Sequence, residues 1–525
     1  MSAPTSPNIV VIMADQLVPF LTGAYGHPVV RTPNLDRLAT RGVRFDAAYT
    51  PYPLCAPARV ALMTGRYPSS IGCYDNAAVF PADQPTIAHY LTNAGYETAL
   101  TGKMHFVGPD QLHGFQHRLT TDIFPAGVDW VPTTDEHGRF PRGGHAHEYV
   151  PPEVGVRTWT KFLTYDEETN YRAVEYIRER ARGPQTEPFF LLASYHHPHD
   201  PFHVTQELWD LYQDASIDVP ASRADLPRSI MDDWLDEAHD TASVELDDPD
   251  NLRALRRAYY GLVTYVDRKV GEILAALDDT GQLEHTVIIF TSDHGDMLGE
   301  RGMVQKRCFY EWSARVPLVM TFPDGRGAGQ RVSEPVSSMD LAATILDLAG
   351  VAHGDRLEMD AQSLLPYIDG AHHTPNLPGA GTTARADVAP HTDAAPGSDG
   401  VPGTDTGPGT GRAVFSEYHV EKVRAACFMV RHGPYKYIYI HGHDAQLFNV
   451  AADPDERDNL AGQPATTDVE TSLHSMLVKQ FDIEHIDRDA AESVRRREII
   501  KNAMQRTGTR WDYVPQFGQE GRYVR

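Results

Sequence analysis

One short segment, residues 50–66, combines a cysteine, a proline and an arginine at close spacing. It reads TPYPLCAPARVALMTGR, with Cys55 two residues before Pro57 and four before Arg59. The apolar residues that follow predict a helix, and Cys55 would lie at its N-terminus, where backbone N–H groups and the helix dipole favour negative charge. That position suits an anionic nucleophile and an anionic substrate. The alternative is a small buried cysteine before a helix.

Two apolar stretches end in acidic residues. The first, 8–13 (NIVVIM), leads to Asp15, and the second, 287–292 (VIIFTS), leads to Asp293 and His294. Such short β-branched runs predict buried parallel strands, and ligand sites in open α/β sheets lie at the carboxyl ends of strands. The three side chains could therefore converge on one metal ion. For either aspartate alone, capping of a loop or a helix is the alternative.

Two further apolar stretches are followed directly by cationic or titratable side chains. Residues 96–100 lead into TGKMH, and residues 189–193 lead into SYHHPHDPF. The side chains placed there are Lys103, His105, His196, His197 and His199, and Lys306 lies farther along, beyond the second aspartate. A solvated lysine and a turn stabilised by prolines are alternative interpretations. A zinc site among the three neighbouring histidines is another, although their spacing matches no zinc motif that we recognise.

Alternation of strand-like and helix-like stretches predicts the fold class, a doubly wound α/β sheet flanked by helices. The helical stretches are residues 35–41, 86–94, 171–182 and 252–277. This pattern indicates one large domain over residues 1–370.

The composition changes sharply after this domain. Residues 371–411 are rich in Pro, Gly, Thr, Asp and Ala, which predicts a disordered linker or insertion. Residues 412–525 then predict a smaller α+β subdomain around an antiparallel sheet, with a hairpin turn at Gly433 and Pro434 and a basic helix near residues 494–504.

Composition and charge exclude several classes of protein. The net charge of −25 argues against nucleic acid as a partner. Four widely spaced cysteines without a C-x-x-C pair predict neither a disulfide framework nor a zinc knuckle. No apolar run approaches the roughly 18 residues that span a bilayer, and the first residues lack a signal-peptide pattern. We therefore expect a cytoplasmic protein without a membrane partner, unless a leader has been removed.

Together, these motifs resemble the type I sulfatases of the alkaline phosphatase superfamily. The shared motifs are CAPAR with the following TGR, the strand-end Asp15, GKMH, PHDP, SDHGD and Lys306, and they occur in the family's order between residue 8 and about residue 350. Other segments resemble the choline sulfatase branch of this family, namely YDNAAVFPAD, GKMHFVGPDQLHGF, RLTTDI and the terminal RWDYVPQ. The last of these is informative because general sulfatases lack it.

The resemblance implies a sulfuric ester hydrolase with two special groups. One is formylglycine, formed from Cys55 by a formylglycine-generating maturation enzyme, whose hydrate is the nucleophile. The other is one divalent metal ion, Ca²⁺ or Mn²⁺ with Mg²⁺ as a third candidate. The implied metal ligands are Asp15, Cys55, Asp293 and His294. Gln16 stands where many sulfatases carry a second acidic residue.

The resemblance also implies the remaining catalytic roles. Lys103 and Lys306 would bind sulfate oxygens, and Arg59 would hold the nucleophile segment. His199 would protonate the leaving alcohol, while His105 would assist the release of sulfate. His196 and His197 could be structural.

The resemblance implies a small alcohol, choline in this branch, as the alcohol half of the substrate. A quaternary ammonium cannot donate a hydrogen bond, so its site needs aromatic faces and a carboxylate. Trp130 is the aromatic candidate because it follows RLTTDI at a short distance. The resemblance implies Asp512 as the carboxylate, from a neighbouring subunit of a dimer or tetramer, and His145 and His147 could line the same pocket. The alternatives are a core or lid tryptophan and an ordinary tail charge.

Three functions remain open at this point. The first is hydrolysis of choline sulfate or a related small alkyl sulfate. The second is the activity of a phosphonate monoester hydrolase, phosphodiesterase or arylsulfatase of the same superfamily. The third is a non-enzymatic binding protein. The sequence between Asp129 and Leu163 departs from the choline sulfatase pattern, which bears on the specificity more than on the chemistry.

Overall fold

The computed structural model describes residues 6–132, 145–183, 187–220, 226–370 and 411–513. The strands within these ranges are β1 (Asn8–Asp15), β2 (Val43–Phe45), β3 (Ala48–Tyr49), β4 (Glu97–Gly102), β5 (His117–Arg118), β6 (Gly155–Val156), β7 (Phe189–Pro198), β8 (His203–Val204), β9 (Thr286–Ser292), β10 (Arg315–Val316), β11 (Leu318–Thr321), β12 (Gln330–Val332), β13 (Val336–Ser337), β14 (Val414–Tyr418), β15 (Cys427–His432), β16 (Tyr435–Ile440) and β17 (Gln446–Asn449).

The helices in the same part of the chain include one that begins at Cys55, as the sequence predicts. They are α1 (Pro33–Arg41), α2 (Cys55–Thr64), α3 (Ile87–Asn93), α4 (Lys161–Arg182), α5 (Gln206–Asp210), α6 (Ile230–His239), α7 (Pro249–Asp279), α8 (Glu311–Ala314), α9 (Leu341–Leu348), α10 (Leu365–Ile368), α11 (Thr467–Gln480) and α12 (Ile483–Thr507). The predicted basic helix near residues 494–504 is the second half of the longer α12.

A large mixed sheet forms the centre of the protein. Within the described ranges its order is β12-β2-β11-β9-β1-β7-β4-β5. The four middle strands, β9, β1, β7 and β4, run parallel, and β11 runs antiparallel to β9. All eight residues of β1 are buried, which is typical of a parallel strand covered on both faces.

Helices cover both faces of this sheet. Alternate residues of a strand point to opposite faces, and Ile9 packs in one core cluster with residues of α2, α3 and α9, whereas Val10 packs in another with residues of α4 and α7. Helix α2 is buried along its whole length, which its apolar sequence requires. Its first residue is thereby fixed beside the sheet.

A second, antiparallel sheet has the order β14-β15-β16-β17. Residues of α11 and α12 pack against one of its faces. These observations confirm the predicted fold class, a mixed α/β sheet flanked by helices with a smaller antiparallel sheet. The boundaries at residues 370 and 411 stay a prediction, and residues 371–410 lie outside the described residues. No helix in the described ranges is long and apolar enough to cross a membrane.

Candidate active site

The residues singled out by the sequence meet at the carboxyl edge of the large sheet. They lie at the ends of four neighbouring strands and at the start of one helix: Asp15 on β1, Asp293 and His294 after β9, Lys103 after β4, His199 after β7 and Cys55 at the start of α2. Parallel strands end at the same edge of a sheet, so chain segments far apart in sequence place their first polar residues together.

Four of these side chains form a compact buried cluster. One ligand-type atom each of Asp15, Cys55, Asp293 and His294 lies within 4.8 Å of the others. The Cys55 Sγ lies 3.2 Å from Nε2 of His294 and 3.9 Å from Oδ1 of Asp15. Nδ1 of His294 lies 2.9 Å from the carbonyl oxygen of Gly295, so Nδ1 carries the proton and Nε2 is free to act as a ligand. Two carboxylates, an imidazole and residue 55 fit one divalent cation.

Arg59 holds the two carboxylates of this cluster in place. Its NH2 group donates to Oδ2 of Asp15 at 2.9 Å, and its Nε donates to Oδ2 of Asp293 at 2.9 Å. All three side chains are fully buried. Lys103 makes a further ion pair with Asp15. Burial and Cys55 would raise the pKa of the Asp15 carboxyl, but Lys103, His199 and Arg59 hold it below its usual value.

Positive charge also surrounds the Cys55 thiol. Burial alone would raise its pKa, but the charges of Lys103, Lys306 and His294 outweigh that effect and hold the pKa well below its usual value. Nζ of Lys103 lies 3.7 Å from Sγ. An anionic group at residue 55 is therefore stabilised by its surroundings.

Lys306 lies on the outer side of the cluster. Its Nζ donates to Oε1 of Gln16 at 2.5 Å and lies 2.8 Å from Nε2 of His199. The Gln16 Nε2 donates to Oδ2 of Asp296 at 2.6 Å. Gln16 thus bridges Lys306 and Asp296, and its backbone lies in the left-handed region, with φ of 63°.

A cleft of about 500 Å³ opens onto Cys55. Residues predicted from sequence that line it are Cys55, His105, Trp130, His145, His196, His199 and Lys306. His147 is exposed and does not line this cleft. Asp512 lies in an adjoining pocket of the same chain, where its Oδ1 accepts a hydrogen bond from the Ala126 N–H at 3.1 Å. Its predicted place in a neighbouring subunit's site stays a prediction.

The histidines have different environments. The imidazole nitrogens of His105 have no hydrogen-bond partner among the described residues, and its ring meets the edge of Trp130 at 5.3 Å. His196 stacks on Phe162 at 4.4 Å. Nδ1 of His197 lies 2.6 Å from Oδ2 of Asp166. Within the described ranges the three neighbouring histidines form no common metal group, so the zinc alternative loses its support.

Several residues that line the cleft are not predicted as site residues by the sequence. Asn76 accepts a hydrogen bond from the Ala56 N–H at 3.0 Å and so caps the helix that begins at Cys55. The other missed residues are Phe124, Glu148, Phe162, Asp200, Gln305, Arg307, Glu421 and Lys422. Asn76 lies in the YDNAAVFPAD segment and Asp200 in PHDP. Both segments are among those that resemble the family, so the sequence offered a reason to consider both residues. No sequence pattern marks Glu421 and Lys422, which reach the cleft from the segment between β14 and β15.

Comparison with known proteins agrees with this architecture. The sulfatase family profile matches residues 7–351, so the chain belongs to the sulfatase family. Choline-sulfatase of Rhizobium meliloti (strain 1021) is 37% identical over 99% of this chain and 96% of that protein. Arylsulfatase of Clostridium perfringens is 32% identical over 67% of this chain and 76% of that protein.

A solved structure supports the fold alone. Phosphonate monoester hydrolase of Agrobacterium radiobacter superposes with a TM-score of 0.66 at 23% identity, covering 90% of this chain and 95% of that one. Family membership and the relatives together make this chain a sulfatase, an enzyme of sulfate ester hydrolysis that is similar to choline sulfatase. The non-enzymatic alternative is therefore set aside.

Proposed function

We propose that this sulfatase hydrolyses choline sulfate, or a closely related small alkyl sulfate, to the alcohol and sulfate. The observation that carries the proposal is the cleft at Cys55, which combines a cationic sulfate site with an aromatic wall. The aromatic side chains are Phe124, Trp130 and Phe162. The similarity to a choline sulfatase over nearly the whole chain points to the same substrate.

The aromatic wall suits a quaternary ammonium. Cation–π contacts are worth about 0.5–2 kcal/mol each and need no hydrogen bond from the ligand. Trp130 is 43% exposed, which leaves ring surface available to a substrate. The carboxylate of Asp200 also lines the cleft and adds negative charge there.

The metal and the modified residue belong to the same proposal. Asp15, Asp293, His294 and residue 55 would hold one divalent cation, and the imidazole among these donors makes Mn²⁺ a competitor of Ca²⁺. Sulfatases generally use a formylglycine made from cysteine together with a divalent metal, and these groups supply an oxygen nucleophile and positive charge next to the sulfate. Formation of formylglycine from Cys55 requires a maturation enzyme as a partner.

The cationic side chains of the chain bind and orient the sulfate group. Lys103 and Lys306 both place positive charge near residue 55, where they would donate to sulfate oxygens. Arg59 is committed to both carboxylates and to Oγ of Ser194 at 2.8 Å, so it fixes the ligands and does not reach the substrate freely.

Two histidines would move protons. His199 borders the cleft with Nε2 directed to Lys306, and we assign it the proton for the leaving alkoxide. His105 lines the cleft with residue 55, its imidazole nitrogens have no hydrogen-bond partner in the described ranges, and we assign it the removal of a proton as sulfate is released.

The proposal further includes assembly of the chain into a homodimer or homotetramer and a cytoplasmic location.

Initial rates on three substrates test this function. Choline sulfate, 4-nitrophenyl sulfate and a phosphonate monoester would be compared by kcat/KM with the same purified protein, and Cys55→Ala serves as the blank for contaminating activity. We expect the highest kcat/KM on choline sulfate. A preference for the phosphonate monoester or for the aryl sulfate would replace the proposal with one of the two related activities.

A further inference from the structure

Lys422 places a buried amine in the cleft that has no partner among the residues that the structure describes. Its Nζ makes no hydrogen bond within those residues, and Lys422 lines the same cleft as Cys55. The backbone of Lys422 is left-handed, with φ of 64°, and so is that of Val420, with φ of 50°. Such conformations cost free energy and persist where the surrounding structure enforces them, often at binding sites. A buried polar group without a partner is also costly, which points to a missing ligand.

The neighbouring cations are already committed. Arg307 donates from NH2 to Oε1 of Glu421 at 2.6 Å and from NH1 to Oε1 of Gln305 at 2.8 Å. Lys306 is committed to Gln16 and His199, as described above. Within the described residues, Lys422 is therefore the member of this group whose Nζ makes no hydrogen bond at all.

Among the described residues, no acidic side chain accepts a hydrogen bond from Lys422. Oδ1 of Asp200 accepts from Nε2 of Gln305 at 2.9 Å and from Nε2 of Gln16 at 3.2 Å. Burial and the charge of Asp200 raise the pKa of Glu148 to about 8, so this carboxyl is protonated near neutral pH. Burial, together with Lys422 and Arg307, lowers the pKa of His145 to about 3, so it adds no charge.

We propose that Lys422, with Arg307 beside it, forms a subsite for a carboxylate on the alcohol half of the substrate. Sulfate esters of small hydroxy acids are then a second substrate class, and this inference rests on the proposed hydrolysis at residue 55. The chemistry is unchanged: the S–O bond to the alcohol breaks, one water is consumed, and sulfate and the hydroxy acid are released. No oxidant or further reactant is needed.

Electrostatics favour this occupant. Burial and the charges of Arg307 and Lys306 outweigh the opposing charges of Glu421 and Asp200 and lower the pKa of the Lys422 ammonium well below its usual value. A carboxylate would restore its charge and accept a charge-assisted hydrogen bond, which is about twice as strong as a neutral one. The aromatic wall lies beside His105, His196 and His199, whereas Lys422 joins Arg307 and Glu421, so a cationic head and a carboxylate would use different parts of the cleft.

A matched pair of substrates tests the subsite. 3-Sulfooxypropanoate and its methyl ester differ in the carboxylate charge and share the scissile bond. We expect kcat/KM to favour the carboxylate by about tenfold or more, because a hydrogen bond to a charged group is worth at least one tenfold step. Lys422→Met should abolish this preference and Lys422→Arg should retain it. Lys479→Met, an exposed lysine on α11, is the control that keeps it.

Each outcome decides a separate point. Equal kcat/KM of the wild-type protein on the two esters overturns the subsite, and this result needs no variant to fold. Equal losses on both esters in Lys422→Met, with the melting temperature lowered, would assign Lys422 a structural role and also overturn it. Choline sulfate assayed in parallel tests the proposed function. Turnover of choline sulfate without a carboxylate preference would exclude the subsite alone. A carboxylate preference without turnover of choline sulfate would exclude the choline assignment alone.

Discussion

The Nζ of Lys306 lies 2.8 Å from Nε2 of His199. On the other side of the ring, Nδ1 lies 2.8 Å from the carbonyl oxygen of Asp200. A carbonyl oxygen only accepts, so Nδ1 carries a proton and Nε2 accepts from Lys306. The residue that we assign as the proton donor therefore faces an ammonium group that can replenish its proton. In our proposal, Lys306 and His199 act as one unit, with the sulfate on one side and the leaving alcohol on the other.

His199→Ala should lower kcat on choline sulfate by about 10²- to 10⁴-fold, the range of general acid catalysis. The loss on 4-nitrophenyl sulfate should be smaller, because a nitrophenolate leaves without a proton. Rates on both substrates at saturation give the two ratios. His353→Ala, whose side chain is 88% exposed, is the matched control and should change neither rate. Equal losses on both substrates in His199→Ala would exclude the acid role.

Trp130→Ala should raise KM for choline sulfate by about two- to thirtyfold, the range of one cation–π contact, and leave KM for 4-nitrophenyl sulfate much less changed. Trp159→Ala is the control, since this tryptophan is 56% exposed and does not line the cleft. Equal changes in KM for both substrates would mean that Trp130 supports the loop and not the ammonium group.

Asp512→Asn tests how the C-terminal tail acts on the cleft. Its carboxylate accepts from the Ala126 N–H, four residues before Trp130, so the variant should raise KM for choline sulfate more than for 4-nitrophenyl sulfate. Sizing chromatography of the same sample shows whether the change also alters assembly. An unchanged KM for both substrates would remove Asp512 from the substrate site.

Arg497 and Asp75 form a buried ion pair that joins α12 to the segment beside Cys55. Two hydrogen bonds of 2.5 and 2.6 Å connect them, and both side chains are almost wholly buried. Arg497→Met should lower the free energy of unfolding by about 3–5 kcal/mol, because it leaves a buried carboxylate unpaired. Arg496→Met, at the exposed neighbouring position, should cost about 1 kcal/mol or less. Similar losses in urea unfolding of both variants would contradict this.

Asp293→Asn and His294→Ala should each lower the bound divalent metal and the activity together. Each removes one of few protein ligands and leaves the ion under-coordinated. Elemental analysis of the purified protein and sulfate release would be measured on the same sample. Asp324→Asn, an exposed carboxylate, is the control. Full activity after exhaustive chelation would contradict the metal assignment.

Much of the candidate site could be predicted from the sequence, because the strand-end pattern that marks it depends only on residues adjacent in the chain. A buried β-branched strand followed by a polar residue predicts where that residue lies, and this rule located Asp15, Lys103 and Asp293 at the same sheet edge. The helix that begins at Cys55 followed from an apolar run after a proline. Fold class followed from the alternation of these strands with amphipathic helices.

Other parts of the site had no local signal. Glu421 and Lys422 reach the cleft on a loop between β14 and β15, and only the packing of the small sheet on the large one brings them there. The left-handed residues of this loop are Val420 and Lys422, and neither is a glycine, so no turn pattern marked the loop. The resemblance places Asp512 in a neighbouring subunit's site. In the structure its carboxylate accepts from the Ala126 N–H of the same chain, a contact across 386 residues that no sequence pattern predicts.

The central claim is that residue 55 is converted to formylglycine, which supplies the nucleophile. The mass of the peptide that contains residue 55, measured in active protein, tests this most directly. Protein that releases sulfate from choline sulfate would be digested, and the peptide containing residue 55 weighed alongside that of Cys55→Ala. We expect a loss of about 18 Da relative to the cysteine form, as aldehyde replaces thiol, and no sulfate release by Cys55→Ala. An unmodified cysteine throughout a fully active preparation would contradict the account.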